Sequence, residues 1–306
     1  MKHKSVLLNE VIDYLNVSEG KKYIDATVGY AGHSGEILRK LNKKGFLFAV
    51  DQDEEAIEYS NKKLSSIADN YKIFKTNFSK MKDYIHENVD GILFDLGVSS
   101  PQLDEGDRGF SFHKDAKLDM RMDRDNPLSA YEVVNEYSYE DLVTILRKYG
   151  EEKYASSIVK NIIKNRPIKT TMELAEIIKS SVPISYRNKS HPARKTFQAI
   201  RIEVDHELDI LEKSLYDAFD LLNIGGRLCV ISFHSLEDKI VAKVFKNLCS
   251  DDESAKYLPI VPDELKARAK KIAKITPNDE ELDDNNRSRS SKLRVIERVK
   301  WKRKSI

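Results

Sequence analysis

Three stretches of this 306-residue chain combine glycine with polar or acidic side chains in patterns that could do chemistry. The first is Asp25-Ala26-Thr27-Val28-Gly29-Tyr30-Ala31-Gly32-His33-Ser34-Gly35. It falls between a strand-like run at Tyr23–Val28 and helical spacing through Ile37, Leu38 and Leu41. Glycines there let the backbone approach a ligand, and a following helix offers free N–H groups. The spacing Gly-x-x-Gly-x-x-Gly is not the dinucleotide fingerprint Gly-x-Gly-x-x-Gly, which counts against a nicotinamide dehydrogenase. The second is Asp51, at the end of Phe46-Leu47-Phe48-Ala49-Val50. An acidic residue at such a strand end, about 20 residues after the glycine loop, accepts hydrogen bonds from ribose hydroxyls. The third is Asp95-Leu96-Gly97-Val98-Ser99-Ser100-Pro101-Gln102, after the apolar run Val89–Leu96. Ligands of open α/β sheets bind outside the carboxyl ends of strands, so Asp95 should face the same crevice. A turn-capping aspartate is the bland reading of Asp95. An adenosyl-type ligand is the joint reading of the three.

These stretches need a scaffold. The first hundred residues alternate strand and helix signals: strands at Tyr23–Val28, Phe46–Val50, Tyr71–Thr76 and Val89–Leu96, helices at Ser34–Leu41 and Glu54–Ala68. That rhythm predicts an α/β fold with a mostly parallel, Rossmann-like sheet. From Phe110 to Arg201 the rhythm becomes helical. Capping boxes are expected at Ser138/Asp141 and Thr170/Glu173. One helical stripe runs from Phe197 through Ile200, Val204, Leu208 and Leu211 to Leu215, stopping before Gly225-Gly226. A strand at Arg227–Phe233, a helix capped by Ser235 and Asp238, a solvated acidic loop at Asp279–Asp284 and a late strand at Leu293–Val299 complete the pattern. The predicted organisation is a discontinuous ligand-binding domain, 1–109 and 202–306, around an all-helical insertion, 110–201, for substrate recognition.

Composition narrows the classes. With 40% hydrophobic and 33% charged residues the chain is globular, and its apolar runs fall well short of a membrane span. Two cysteines, Cys229 and Cys249, make no disulfide framework, and the scattered histidines show no metal-ligand spacing. A cytoplasmic protein without a membrane segment or metal is expected. The net charge of +2 means that any nucleic-acid contact must come from local basic patches.

Taken with Lys4–Glu10, Arg108-Gly109-Phe110-Ser111-Phe112, Leu118–Asp123, His191-Pro192-Ala193-Arg194 and Ile231–Asp238, the three stretches resemble the RsmH/MraW family in order along nearly the whole chain. The resemblance implies a class I methyltransferase fold and transfer of a methyl group from S-adenosylmethionine. The acceptor it implies is the exocyclic N4 of a decoding-centre cytidine of 16S rRNA in the small ribosomal subunit, and it makes a homodimer plausible. It places donor contacts at Ala31, Gly32, His33, Asp51, Phe78, Asp95 and Gln102, to which the glycine-loop reading adds Gly29. Ala31 stands where the family commonly has glycine. Without the resemblance, Phe78 reads as a core residue.

A cytosine amine is a weak nucleophile, so an acceptor on its N–H bonds is needed. Asp95, or carbonyls of the Ser99-Ser100-Pro101 turn, would serve. Phe110 and Phe112 could stack on an unstacked base, or form a small apolar lid. Asp119, Arg121 and Asp123 form either an ion-pair loop or a substrate-orienting one. Arg194 and Arg201, on one predicted helix face, could meet phosphates or only solvent. His234 reads as a substrate contact or as part of the next helix cap. The basic residues Arg287, Arg289, Lys292, Arg294, Arg298, Lys300, Lys302, Arg303 and Lys304 form a second candidate RNA patch. A non-catalytic ligand- or RNA-binding module is the competing class.

Overall fold

The computed structural model describes residues 5–98, 107–188 and 191–300, apart from the side chains of 284, 286 and 287. The chain divides into two compact units, residues 1–97 with 208–306, and residues 98–207.

The first unit is built on a seven-stranded sheet. In chain order its strands are β1 (Lys22–Asp25), β2 (Phe46–Asp51), β3 (Tyr71–Lys75), β4 (Val89–Asp95), β5 (Leu222–Ser232), β6 (Ala269–Ile275) and β7 (Lys292–Arg298). The spatial order is β3-β2-β1-β4-β5-β7-β6. The first five strands pair in parallel, and β7 runs antiparallel to both β5 and β6. This is the α/β, Rossmann-like class I methyltransferase arrangement expected from the sequence.

Successive residues of a strand point to opposite faces, so a sheet covered on both sides needs apolar residues at every position. One face gathers Ile24, Phe48, Val50, Ile92, Phe94 and Val230 under Leu211, Leu215 and Phe219, and under Val241, Val244 and Phe245. Those layers come from α10 (Glu207–Leu221) and α11 (Ser235–Leu248). The other face gathers Tyr23, Leu47, Ala49, Leu93, Cys229 and Ile231 under the apolar sides of α1 (Leu8–Leu15) and α2 (Gly32–Leu41), with Leu64 from α3 (Glu54–Ser65).

The second unit is helical: α4 (Ala130–Glu136), α5 (Tyr139–Lys148), α6 (Ala155–Lys164), α7 (Thr171–Ser180), α8 (Ile184–Arg187) and α9 (Ala193–Asp205). Among its described residues the one β contact is an isolated bridge between Lys117 and Thr170. Thr170 and Glu173 form the expected capping box, and the Ser138 side chain accepts from Asp141 N–H.

Three expectations need correction, and one element was not anticipated. The stripe from Phe197 to Leu215 is two helices, because His206 takes a left-handed φ of 51° and ends α9 before α10 begins. The residue that caps α11 is His234 rather than Ser235, with Glu237 completing a reciprocal box. The acidic run Asp279–Asp284 is the short helix α12, capped by Asn278, and its Glu281 is buried and accepts from Leu7 N–H. Finally, β6 is a strand that its lysine-rich sequence concealed.

Candidate functional site

The strand order reverses around β1, with β2 on one side and β4 on the other; this is where open α/β sheets place ligands. Asp25 is in register with Ala49 of β2 and with Leu93 of β4. Asp51 and Asp95 therefore both lie two residues beyond the end of β1, flanking the loop that leaves it.

Hydrogen bonds pin that loop on both sides. Ala26 N–H donates to Leu93 O (2.9 Å) and Val28 N–H to Val50 O (2.9 Å). Asp95 N–H donates to Thr27 Oγ1 (2.8 Å), and Gly29 N–H donates to Asp51 Oδ2 (2.8 Å). Gly29 reaches Asp51 with φ 47°, and Ala31 follows at φ 52°, both in the left-handed region. Ala31 pays the steric cost that glycine avoids there. It is fully buried and is the N-cap of α2. Gly32 opens α2 against Ser5: a Cβ at Gly32 would lie 1.7 Å from Ser5 Oγ.

Three carboxyls are held high in titration by burial. Asp25, at the end of β1, is pushed up to about 6, although it accepts from Ser34 Oγ (2.6 Å) and Thr27 N–H (3.2 Å). Asp51 is also pushed up to about 6 while accepting from Gly29 and Asp53 N–H. Asp95 is pushed up to about 8 by burial, with the charges of Asp25 and Glu237 adding to it. Its Oδ1 is shut off from water and, among the described residues, has no hydrogen-bond partner. Its Oδ2 is 3.5 Å from Nδ1 of buried His33. Asp25 and Glu237 were not singled out from sequence, yet Asp25 ends the first strand directly before the glycine loop, the same signal that marked Asp51 and Asp95.

The fit of an adenosyl sulfonium donor rests on these observations. Asp51 accepts from the backbone N–H groups of Gly29, Gln52 and Asp53, and a carboxylate has about four lone-pair sites, which leaves room for a ribose hydroxyl. The orphaned Asp95 Oδ1 marks a place where a polar or cationic group completes the site. Phe78 begins the turn after β3, half-buried, with its ring edge-on to Phe94 at 5.5 Å. It is thus a core residue at the margin of the sheet. Gln102 and the Ser99-Ser100-Pro101 turn lie outside the described residues.

Most of the candidate substrate residues have partners within the protein. Phe110 is 5% exposed, beneath the Arg108 guanidinium, as the apolar-lid reading requires. Phe112 is half-buried and already stacks on His191, with ring centres 4.3 Å apart and 16° between planes. Arg121 holds Asp119 through two bonds (2.7 and 3.1 Å) and the carbonyls of Arg124 and Asn126, so it is a loop brace. Arg201 is half-buried and doubly bonded to Glu207 (2.8 and 3.0 Å), which ties up its fork. Arg194 is exposed in the first turn of α9. His234 is bound into the α11 cap, its Nε2 3.0 Å from Glu237 Oε1.

Three members of the late basic patch are engaged within the protein, while Arg289 is exposed. Arg294 and Lys292 both grip Asp238. Arg298 is 2% exposed and donates to the carbonyls of Phe219, Asp220 and Leu222 at the end of α10, and to Lys300 O. Lys302, Arg303 and Lys304 lie outside the described residues, as does the Arg287 side chain. No helix among the described residues is long and apolar enough to cross a membrane.

Comparison with known proteins gives the chain its kin. Residues 1–299 match the model of the MraW methylase family. A protein of Exiguobacterium sibiricum named ribosomal RNA small subunit methyltransferase H is 50% identical over 308 aligned residues, covering 97% of this chain and 98% of the relative. A protein of the same name from Mycoplasma mycoides subsp. mycoides SC is 50% identical over 306 residues, covering 97% and 99%. With the glycine loop held between two strand-terminal aspartates and a match along almost its full length, the chain belongs to the MraW methylase family.

Proposed function

We propose that this protein transfers a methyl group from S-adenosylmethionine to the exocyclic N4 of a decoding-centre cytidine of 16S rRNA in the small ribosomal subunit. The observation that carries the reading is the placement of Asp51 and Asp95 on either side of the loop at Gly29. Membership of a methylase family and relatives named for small-subunit rRNA support it.

In this reading the unit of residues 1–97 and 208–306 holds the donor, and residues 98–207 recognise RNA. The backbone at Ala31, Gly32 and His33 meets the donor at the start of α2, Asp51 takes the ribose hydroxyls and Phe78 borders the adenine. Gln102 is assigned to the donor by resemblance. When bound, S-adenosylmethionine supplies an electrophilic methyl carbon on a positively charged sulfur. Asp95 accepts hydrogen bonds from the cytosine amine, localises its lone pair and takes its proton, which is general-base work worth roughly 10²–10⁴ in rate. Holding amine and methyl in line supplies the larger share, about 7–11 kcal/mol. Arg194 contributes a phosphate contact.

The test is incubation with isotope-labelled S-adenosylmethionine and small subunits from cells lacking this modification. N4-methylcytidine in digested 16S rRNA is expected. Label in another nucleoside overturns the assigned position, and no label in RNA overturns the activity.

A further inference from the structure

Asp95 and His33 face each other with matched but conditional hydrogen-bonding demands. Nε2 of His33 is 3.0 Å from the Val6 carbonyl oxygen. A carbonyl only accepts, so Nε2 carries the hydrogen, and whenever the ring is neutral its lone pair is on Nδ1. That nitrogen stands 3.5 Å from Asp95 Oδ2. The carboxyls of Asp25, at the end of β1, and Glu237, in the first turn of α11, also bear on Asp95. An ionised Asp95 therefore faces a lone pair and two acidic groups, with its Oδ1 orphaned. A protonated Asp95 faces an acceptor. Burial and these neighbours hold its titration near 8, so the acid form prevails at neutral pH until a positive charge enters.

We propose that the Asp95–His33 pair senses charge on the donor and makes the site prefer the sulfonium over its neutral thioether product. The proposal rests on the cofactor reading given above. Opposite a positive sulfur, Asp95 releases its proton to solvent. During transfer a C–N bond forms as the C–S bond breaks, and the sulfur keeps the bonding pair and becomes neutral. The amine nitrogen, now positive, gives one proton to the Asp95 carboxylate, whose new O–H is directed at His33 Nδ1. Asp95 is then back in the form it holds without a cation, and the product has lost the attraction that held the donor.

Calorimetric titration of the full chain with S-adenosylmethionine and with S-adenosylhomocysteine, between pH 6 and pH 9 in two buffers of different ionisation enthalpy, tests this without turnover. Donor binding is expected to release close to one proton at pH 7 and to tighten about tenfold per pH unit up to about 8. Product binding is expected to release none, so the affinity ratio climbs with pH and then levels. His33→Phe removes the acceptor for the acid form and is expected to move the midpoint of proton release to lower pH; an unmoved midpoint removes His33 from the device. Asp95→Asn is expected to flatten the ratio across pH. If that variant does not fold, the wild-type proton counts decide. Parallel pH profiles and equal proton release for the two ligands overturn the charge sensor, whereas binding of neither ligand overturns the cofactor reading instead.

Discussion

Gly29 donates its N–H to Asp51 Oδ2 at 2.8 Å, joining the loop after β1 to the end of β2 across 22 residues. The bond fixes the loop's entry into α2 before any ligand arrives. It also orients the carboxylate, which accepts from Gln52 and Asp53 N–H as well, so that its remaining acceptor capacity is left for a hydroxyl donor. A binding site organised this way pays little ordering cost on association.

The adjoining Ala31 stores strain. Its left-handed φ of 52° costs roughly 1–2 kcal/mol for a non-glycine residue. Glycine relieves it but loosens the unfolded chain by about 0.4–1 kcal/mol. Ala31→Gly is expected to stabilise the protein by about 1 kcal/mol or less in urea unfolding, with donor affinity retained. A clear destabilisation would contradict the left-handed assignment.

Gly32 is constrained by space. A methyl there would overlap Ser5 Oγ, so Gly32→Ala is expected to cost about 1–3 kcal/mol and to weaken donor binding. Ser5→Gly should restore much of that loss in the double variant. Additive losses in the two-residue cycle would place the damage elsewhere.

Asp95 ties stability to pH. Its carboxyl titrates near the ordinary 3.8 when unfolded and near 8 when folded, so the folded state holds the extra proton between those values. The stability it contributes is complete below about pH 4 and is lost as pH rises to 8. Asp25 and Asp51, raised to about 6, act in the same direction over a narrower window. Asp95→Asn is expected to raise the thermal midpoint of the donor-free protein by about 2–4 °C at pH 8.5, and by less at pH 5. An equal rise at both pH values would contradict the assignment.

The two arginines of α9 should part company. Arg194→Ala is expected to weaken RNA binding and reduce the salt slope by about one contact, with little change in unfolding. Arg201→Ala strands Glu207 and is expected to lower stability by about 1–3 kcal/mol. Filter binding at several salt concentrations, alongside urea unfolding, separates them; an Arg201 variant of unchanged stability and weakened binding reverses the assignment.

Parallel strands buried on both faces write themselves as apolar runs, which is why β1, β2 and β4 could be located closely from residue types alone. Asp51 and Asp95 were legible because each terminates such a run. By contrast, β6 is an edge strand broken by Lys270, Lys271 and Lys274, the residues that keep an edge from pairing with other chains. The break at His206 was hidden because the apolar stripe continues on both sides of it. Residue type also says nothing about which neighbour a side chain turns to: Phe110 and Arg201 look available until Arg108 and Glu207 are found against them.

Arg298 closes the end of α10 from far downstream, its guanidinium reaching Leu222 O across 76 residues. Arg298→Ala is expected to cost about 3 kcal/mol or more, since several buried carbonyls lose their donor together.

That long reach bears on synthesis. A chain emerging N-terminus first has β5 in hand well before its antiparallel neighbour β7, and the helix before β5 waits uncapped for the same segment. Through that interval the nascent protein shows an unfinished apolar sheet face to the cell, and its dependence on chaperones should end abruptly when Arg298 clears the ribosome.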